Sequence, residues 1–154
     1  MDEPTVEITH VAEFSASHRL HNPALSDEQN RELYGICNNP NGHGHNYVVE
    51  DSVRGPVPDG TGMVMDLNRL SRLIVERLIL PVDHKHLNFD VPFLEGVIPT
   101  AENVAVAFWR ELEPALAPYR GASLSRVRVR ESRMNYVDYL GPRSAAGQPQ
   151  GQFR

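Results

Sequence analysis

The densest chemistry in this sequence lies at His43-Gly44-His45. Side chains two apart on a strand point to the same side, so both imidazoles would face one point. The glycine between them has no side chain and leaves room for a backbone or a ligand to approach. Two neutral imidazoles converging on one side are the usual start of a zinc site. A third ligand must come from elsewhere. His18 ends an upstream strand whose inward side is apolar, where a polar ring needs a partner. Three histidines with an open fourth position is the catalytic pattern for zinc, not the structural one. The competing reading is that all three are ordinary strand histidines.

Three further signals surround this trio. Cys37, the only cysteine, opens the run CNNPNGHGH and lies six residues before His43. A lone cysteine is usually a small buried hydrophobe. Beside a cation its thiol would ionise more readily, which makes it either a fourth ligand or, better, a base. Asp83-His84 has the form of a pair in which the carboxylate orients one imidazole tautomer, although it also fits a loop-capping aspartate beside a surface histidine. Glu131 shares a strand face with Val127 and Val129, while Arg128 and Arg130 fall on the other. A carboxylate on an apolar face is costly unless paired. It either ends a core strand at solvent or forms a pocket floor that grips two adjacent N–H groups, as pterins and guanines present them.

These residues must be held by a small set of elements. The order reads strand, loop, strand, helix, helix, strand, strand. Alternation predicts strands over residues 5–18 and 43–54, the latter stopped by Gly55-Pro56, with residues 63–65 extending the pairing as a hairpin. Residues 23–41 read as a long polar loop. Asp66 caps a helix carried by Leu67, Leu70, Ile74 and Leu78, which Pro81 should close. Thr100 caps the next, with Glu102 in its first turn and Val104, Ala107, Phe108 and Leu112 as the apolar stripe, until Pro114 kinks or ends it. Residues 124–131 and 136–140 read as an antiparallel pair. The fold class is α+β, with helices on one face of an antiparallel sheet.

The bulk composition narrows the function. A chain of 154 residues, 40% hydrophobic, suits one domain with a real core, set here at residues 1–141. Residues 1–4 read as frayed, and residues 142–154, rich in Gly, Pro, Gln and Ser, as a disordered tail. A net charge of −5 with dispersed arginines argues against nucleic-acid and membrane-surface roles. Fourteen arginines against the single Lys85 read as a compositional bias of the genome. One cysteine, an acidic N-terminus without an apolar run, and no long apolar stretch point to a cytoplasmic protein.

Taken with their spacing, several segments are similar to the 6-pyruvoyl-tetrahydropterin synthase family: FSASHRL, CNNPNGHGHNY, TGMVMDL, PVDHKHLNFDVPF, TAENVAV and the strand ending in Glu131. The resemblance runs in order over residues 8–141. It implies a tunnelling fold, a four-stranded antiparallel sheet with two helices on one side. Three subunits would close a barrel by trimerisation, and two trimers would stack into a homohexamer with active sites at subunit interfaces. It implies conversion of 7,8-dihydroneopterin triphosphate to 6-pyruvoyl-tetrahydropterin, with zinc on His18, His43 and His45. Cys37 would abstract protons, Asp83 and His84 would relay from a neighbouring subunit, and Glu131 would anchor the pterin with Thr100 and Glu102. Ala101 departs from the second threonine of the animal enzymes, leaving one pterin contact to backbone. Glu50-Asp51 interrupts what should be an apolar strand. Two rival readings stand. One is a 6-carboxy-tetrahydropterin synthase, whose cysteine is separated from HGH by three intervening residues where this chain has five. The other is a non-catalytic, zinc-stabilised pterin-binding protein.

Overall fold

The computed structural model describes residues 3–143. Its centre is an antiparallel ribbon of two fourteen-residue strands, β1 (Thr5–His18) and β2 (His43–Pro56), paired along their whole length from Thr5↔Pro56 to His18↔His43. β4 (Ser123–Arg130) adds to the other side of β2, and β5 (Tyr136–Tyr139) pairs antiparallel with β4. The strand ladder expected over residues 124–131 therefore ends one residue short of Glu131.

The sheet has five strands, not four. The extra member, β3 (Lys85–His86), runs parallel to β1 at its free edge, so the sheet order is β3-β1-β2-β4-β5. Amides of His84 and Leu87 bond to the carbonyls of Ser15 and Ser17, at 2.7 and 2.8 Å. A two-residue strand carries no alternation to read, which is why the sequence pattern misses it.

One face of the sheet is covered by helices. α2 (Leu67–Ile74) starts at Asp66, whose carboxylate accepts the Asn68 amide. It buries Leu70 and Ile74. The chain then widens into a π turn at Val75–Ile79 and continues as α3 (Leu80–Val82). Pro81 does not close the helix as expected. The π turn shifts the hydrogen-bond register just where proline lacks its own N–H. Leu78 and Val82 stay buried on the same side. α4 (Ala101–Leu116) starts at Thr100, whose hydroxyl accepts the Asn103 amide, and passes Pro114 for two more residues. Phe108 from α4 meets Phe14 edge-on, and Phe14 stacks flat on Tyr47 with centroids 4.7 Å apart.

Two other expectations fail for local reasons. Residues 23–41 are not a plain loop, because α1 (Asp27–Tyr34) and a 3-10 turn at Gly35–Asn38 lie within them. A capping box starts α1: Ser26 accepts the Gln29 amide, and Gln29 reaches back to the Ser26 amide. Its anchor is polar, the buried Asn30 side chain bonding the carbonyls of Asn22, Leu25 and Ser26. With no apolar stripe, periodicity cannot reveal it. Residues 63–65 form no strand, because the preceding turn folds back on Pro58. At the N-terminus, Pro4 is tied rather than frayed, its carbonyl accepting the Val57 amide at 2.8 Å. The tail expectation falls almost wholly outside the described residues.

The Glu50-Asp51 interruption divides across the two faces. Glu50 points away from the helices into a row of arginines, with Arg130 at 2.9 Å, Arg128 at 3.7 Å and Arg126 at 3.8 Å. Asp51 points into the core, level with His10 on β1 and Val127 on β4, and is fully buried. Neither carboxylate oxygen has a hydrogen-bond partner among the described residues. Burial alone pushes its carboxyl up to about 8. The folded state thus holds this proton more tightly than the unfolded chain. Its contribution to stability is therefore fully present below the ordinary carboxylate range and is lost as pH rises through about 8. Asp51→Val should stabilise the fold by about 1–3 kcal/mol at pH 8.5, and by clearly less at pH 5.5. Urea unfolding at both pH values checks this, and an equal or negative effect at both would contradict it.

Candidate metal centre

The β1–β2 register builds the centre. Strand alternation places His43 and His45 on the helix side of β2, and antiparallel pairing sets His18 directly opposite His43. Ala16 lies opposite His45, and its single methyl leaves space for that ring. The result is a cluster in which one ligand atom from each of His18, His43 and His45 lies within 4.8 Å of the others. The rings meet edge-on in pairs at 65° to 86°, with centroids 4.7 to 5.1 Å apart.

The glycine requirement falls on Gly42 more than on Gly44. Gly42 sits in the left-handed region at φ 73°, and a Cβ there would come 2.9 Å from the His18 carbonyl oxygen. Only glycine turns the chain into β2 this close to the end of β1.

The ring nitrogens are arranged for a cation. A carbonyl can only accept, so His18 Nδ1–H donates to the Pro99 carbonyl at 2.7 Å and leaves the Nε2 lone pair facing the cluster. His18 Nε2 and His43 Nε2 lie 3.1 Å apart. Two imidazole nitrogens on one tetrahedral zinc are separated by about 3.3 Å, given Zn–N bonds of ~2.0–2.1 Å. Burial, then the neighbouring imidazoles, depresses His18 to about 4, against the pull of the Pro99 carbonyl, and burial also lowers His45. At neutral pH both are therefore neutral, the form that binds metal. Nδ1 of His43 is buried and without a partner among the described residues. Donor set, spacing and charge state all fit a divalent metal.

Tyr47 is a member of the site that sequence reading passed over. Its ring is fully buried, and its hydroxyl lies 3.3 Å from His18 Nδ1. The signal was present, since Tyr47 continues the alternating face of His43 and His45. Pro99, the other support of His18, acts through its backbone and leaves no trace in residue type.

The remaining expected residues fall into two groups. Glu131 joins the centre, with Oε1 3.8 Å from His18 Nε2. Burial, and secondly the charge of Glu102, hold its carboxyl above the ordinary range. Thr100 begins α4 one residue after the Pro99 carbonyl that holds His18. Its hydroxyl accepts the Asn103 amide and keeps a hydrogen to donate. Cys37 sits half-buried in the 3-10 turn beside β2, and its carbonyl accepts the Leu20 amide. Asp83 and His84 do pair, at 3.0 Å, and Asp83 also accepts the Ser15 amide at 2.9 Å. His84 has a positive φ of 59° and turns an 83% exposed ring away, outside the cluster of its own chain.

Removing one ligand tests the centre. His43→Ala should keep the far-ultraviolet circular dichroism of the parent and lose most bound metal by elemental analysis. Metal retained at parent stoichiometry would show that the three rings are not the ligands.

Comparison with known proteins agrees with the fold and extends the reading. Residues 7–142 match the family model described as 6-pyruvoyl tetrahydropterin synthase. The 6-pyruvoyl tetrahydrobiopterin synthase of Poecilia reticulata is 49% identical over 137 residues, covering 87% of this chain and 89% of that protein. The human protein of the same name is 46% identical over 135 residues, covering 88% and 91%. The solved structure of the Caenorhabditis elegans 6-pyruvoyl tetrahydropterin synthase superposes with a TM-score of 0.86 at 39% identity, covering 92% of this chain and 99% of that one. With a family match over nearly its whole length, and two such relatives, this chain belongs to the 6-pyruvoyl tetrahydropterin synthase family.

Proposed function

We propose that this protein converts 7,8-dihydroneopterin triphosphate to 6-pyruvoyl-tetrahydropterin and inorganic triphosphate, at a zinc ion held by His18, His43 and His45. The observation that carries the reading is the convergence of three imidazoles beside a half-buried carboxylate. Zinc bound there would supply Lewis acidity to the substrate's side-chain hydroxyls, making the attached C–H bonds more acidic.

Each protein group then has a part. Glu131 accepts two adjacent N–H groups of the pterin ring, which relieves its repulsion with Glu102. Thr100 has a hydroxyl hydrogen left for the same ligand. Cys37, as thiolate, takes a carbon-bound proton. The C–O electron pair leaves with triphosphate, and internal proton transfers complete the rearrangement. Oxidation and reduction occur within one molecule, so no nicotinamide is consumed. Asp83 holds His84 as a proton carrier, exposed as expected of a group serving the site of a neighbouring subunit.

The assembly belongs to the same proposal. We infer a tunnelling fold in which three subunits close a barrel and two trimers stack into a hexamer. Supporting this, β3 and β5 terminate the sheet of a single chain with unpaired edges, which a barrel removes. No helix among the described residues is long and apolar enough to cross a membrane, and with the single cysteine this supports a cytoplasmic location.

Incubation with 7,8-dihydroneopterin triphosphate, with the product identified by mass, tests the reaction. A pyruvoyl product supports it. A carboxy product, or none, overturns it. Cys37→Ala should retain zinc and fold while triphosphate release falls by about 10²–10⁴-fold, the usual contribution of a positioned base. Undiminished turnover would remove Cys37 from the mechanism, and loss of zinc would make it a ligand instead.

A further inference from the structure

The loop that carries Cys37 has a second face. Behind it lies a cavity of about 540 Å³ whose lining includes Arg19, Arg31, Asp27, Asn38, Asn39 and Ile36. Arg19 follows the cluster residue His18, and Asn38 follows Cys37. Two lining residues are thus chain neighbours of the proposed metal ligand and the proposed base.

Arg19 is fixed by its surroundings. Its amide donates to Asn88 Oδ1 at 2.9 Å and its carbonyl accepts Asn88 Nδ2 at 2.8 Å. Its Nε donates to the Asn38 carbonyl at 3.0 Å. Among the described residues no acceptor meets its two terminal NH₂ groups. Arg31, on α1, makes no hydrogen bond or ion pair with its guanidinium among the described residues. This holds even though Asp27 precedes it by four positions. The terminal NH₂ groups of Arg19 and the guanidinium of Arg31, against one carboxylate, make this a locally cationic pocket on a chain of net charge −5.

We propose that Arg19 and Arg31 grip the triphosphate of the substrate in this cavity, with the pterin end held at Glu131 and the cluster between them. The identity of the anion rests on the reaction proposed above, whereas the pocket rests on its own geometry. Guanidinium groups match phosphate oxygens with paired donors. The triphosphate gains negative charge as the C–O bond breaks, so the same groups favour its departure. Asp27 opposes the anion and sets the direction of a test that a merely structural role would not reproduce.

Titration calorimetry of the full-length protein with inorganic triphosphate reads the site directly. Arg31→Gln and Arg19→Gln should each weaken binding by about tenfold, a charge-assisted contact's worth. Asp27→Asn should tighten it, and Arg72→Gln, remote on α2, should leave it unchanged. In turnover, Arg31→Gln should raise KM and lower kcat together, because the contact strengthens as the triphosphate leaves. Unchanged affinity in both Arg31→Gln and Asp27→Asn would overturn the subsite, including the case in which triphosphate binds the metal alone. The two readings fail separately, because a parent protein that forms no pterin product overturns the reaction without altering the calorimetric comparison.

Discussion

The centre depends on one constraint, the register of β1 against β2. Fourteen consecutive pairs fix which residue of each strand stands opposite which. A slip of one position would turn a whole strand's side chains to the other face. His18 would then leave the side of His43 and His45, and Phe14 would lose its stack on Tyr47. The largely apolar helix side of both strands favours this alignment, with the unpartnered Asp51 as its exception. Packing of Phe14, Tyr47 and Phe108 thus positions His45 two residue pairs, and His18 with His43 four residue pairs, further along the ribbon.

The chain tolerates polar groups in this interior for contrasting reasons. His18 is almost wholly buried, yet it is held by the Pro99 carbonyl and faces two further imidazoles, an arrangement a cation completes. Asp51 is equally buried with nothing to accept from, and nothing at the cluster uses it. The first is the mark of a site and the second is a cost carried by the core. On the opposite face, Glu50 shows how the same strand accommodates charge at little cost, through three arginines and the stacking of Arg128 and Arg130 on Tyr136.

Much of this was legible in the residues. β1 was read to its exact ends, and Asp66 and Thr100 were recognised as helix starts from their capping chemistry. The candidate trio followed from alternation for His43 and His45, and for His18 from the apolar inward side of its strand and the family resemblance, while the register shows how His18 comes to stand opposite His43. What escaped was structure without periodicity: the polar helix α1 anchored through Asn30, the two-residue β3, and the π turn that carries the chain past Pro81. Asp83 and His84 were legible as a pair but not in their placement, since nothing in their adjacency tells which way the loop turns. Their exposure in one chain agrees with the proposed role across a subunit boundary, and the proposed metal coordination rests on the three clustered histidines.

Zinc K-edge X-ray absorption on the purified protein tests that coordination most directly. The account predicts three imidazole nitrogens with one further oxygen at about 2.0–2.2 Å and no sulfur. A Zn–S distance of about 2.3 Å would place Cys37 on the metal and contradict it.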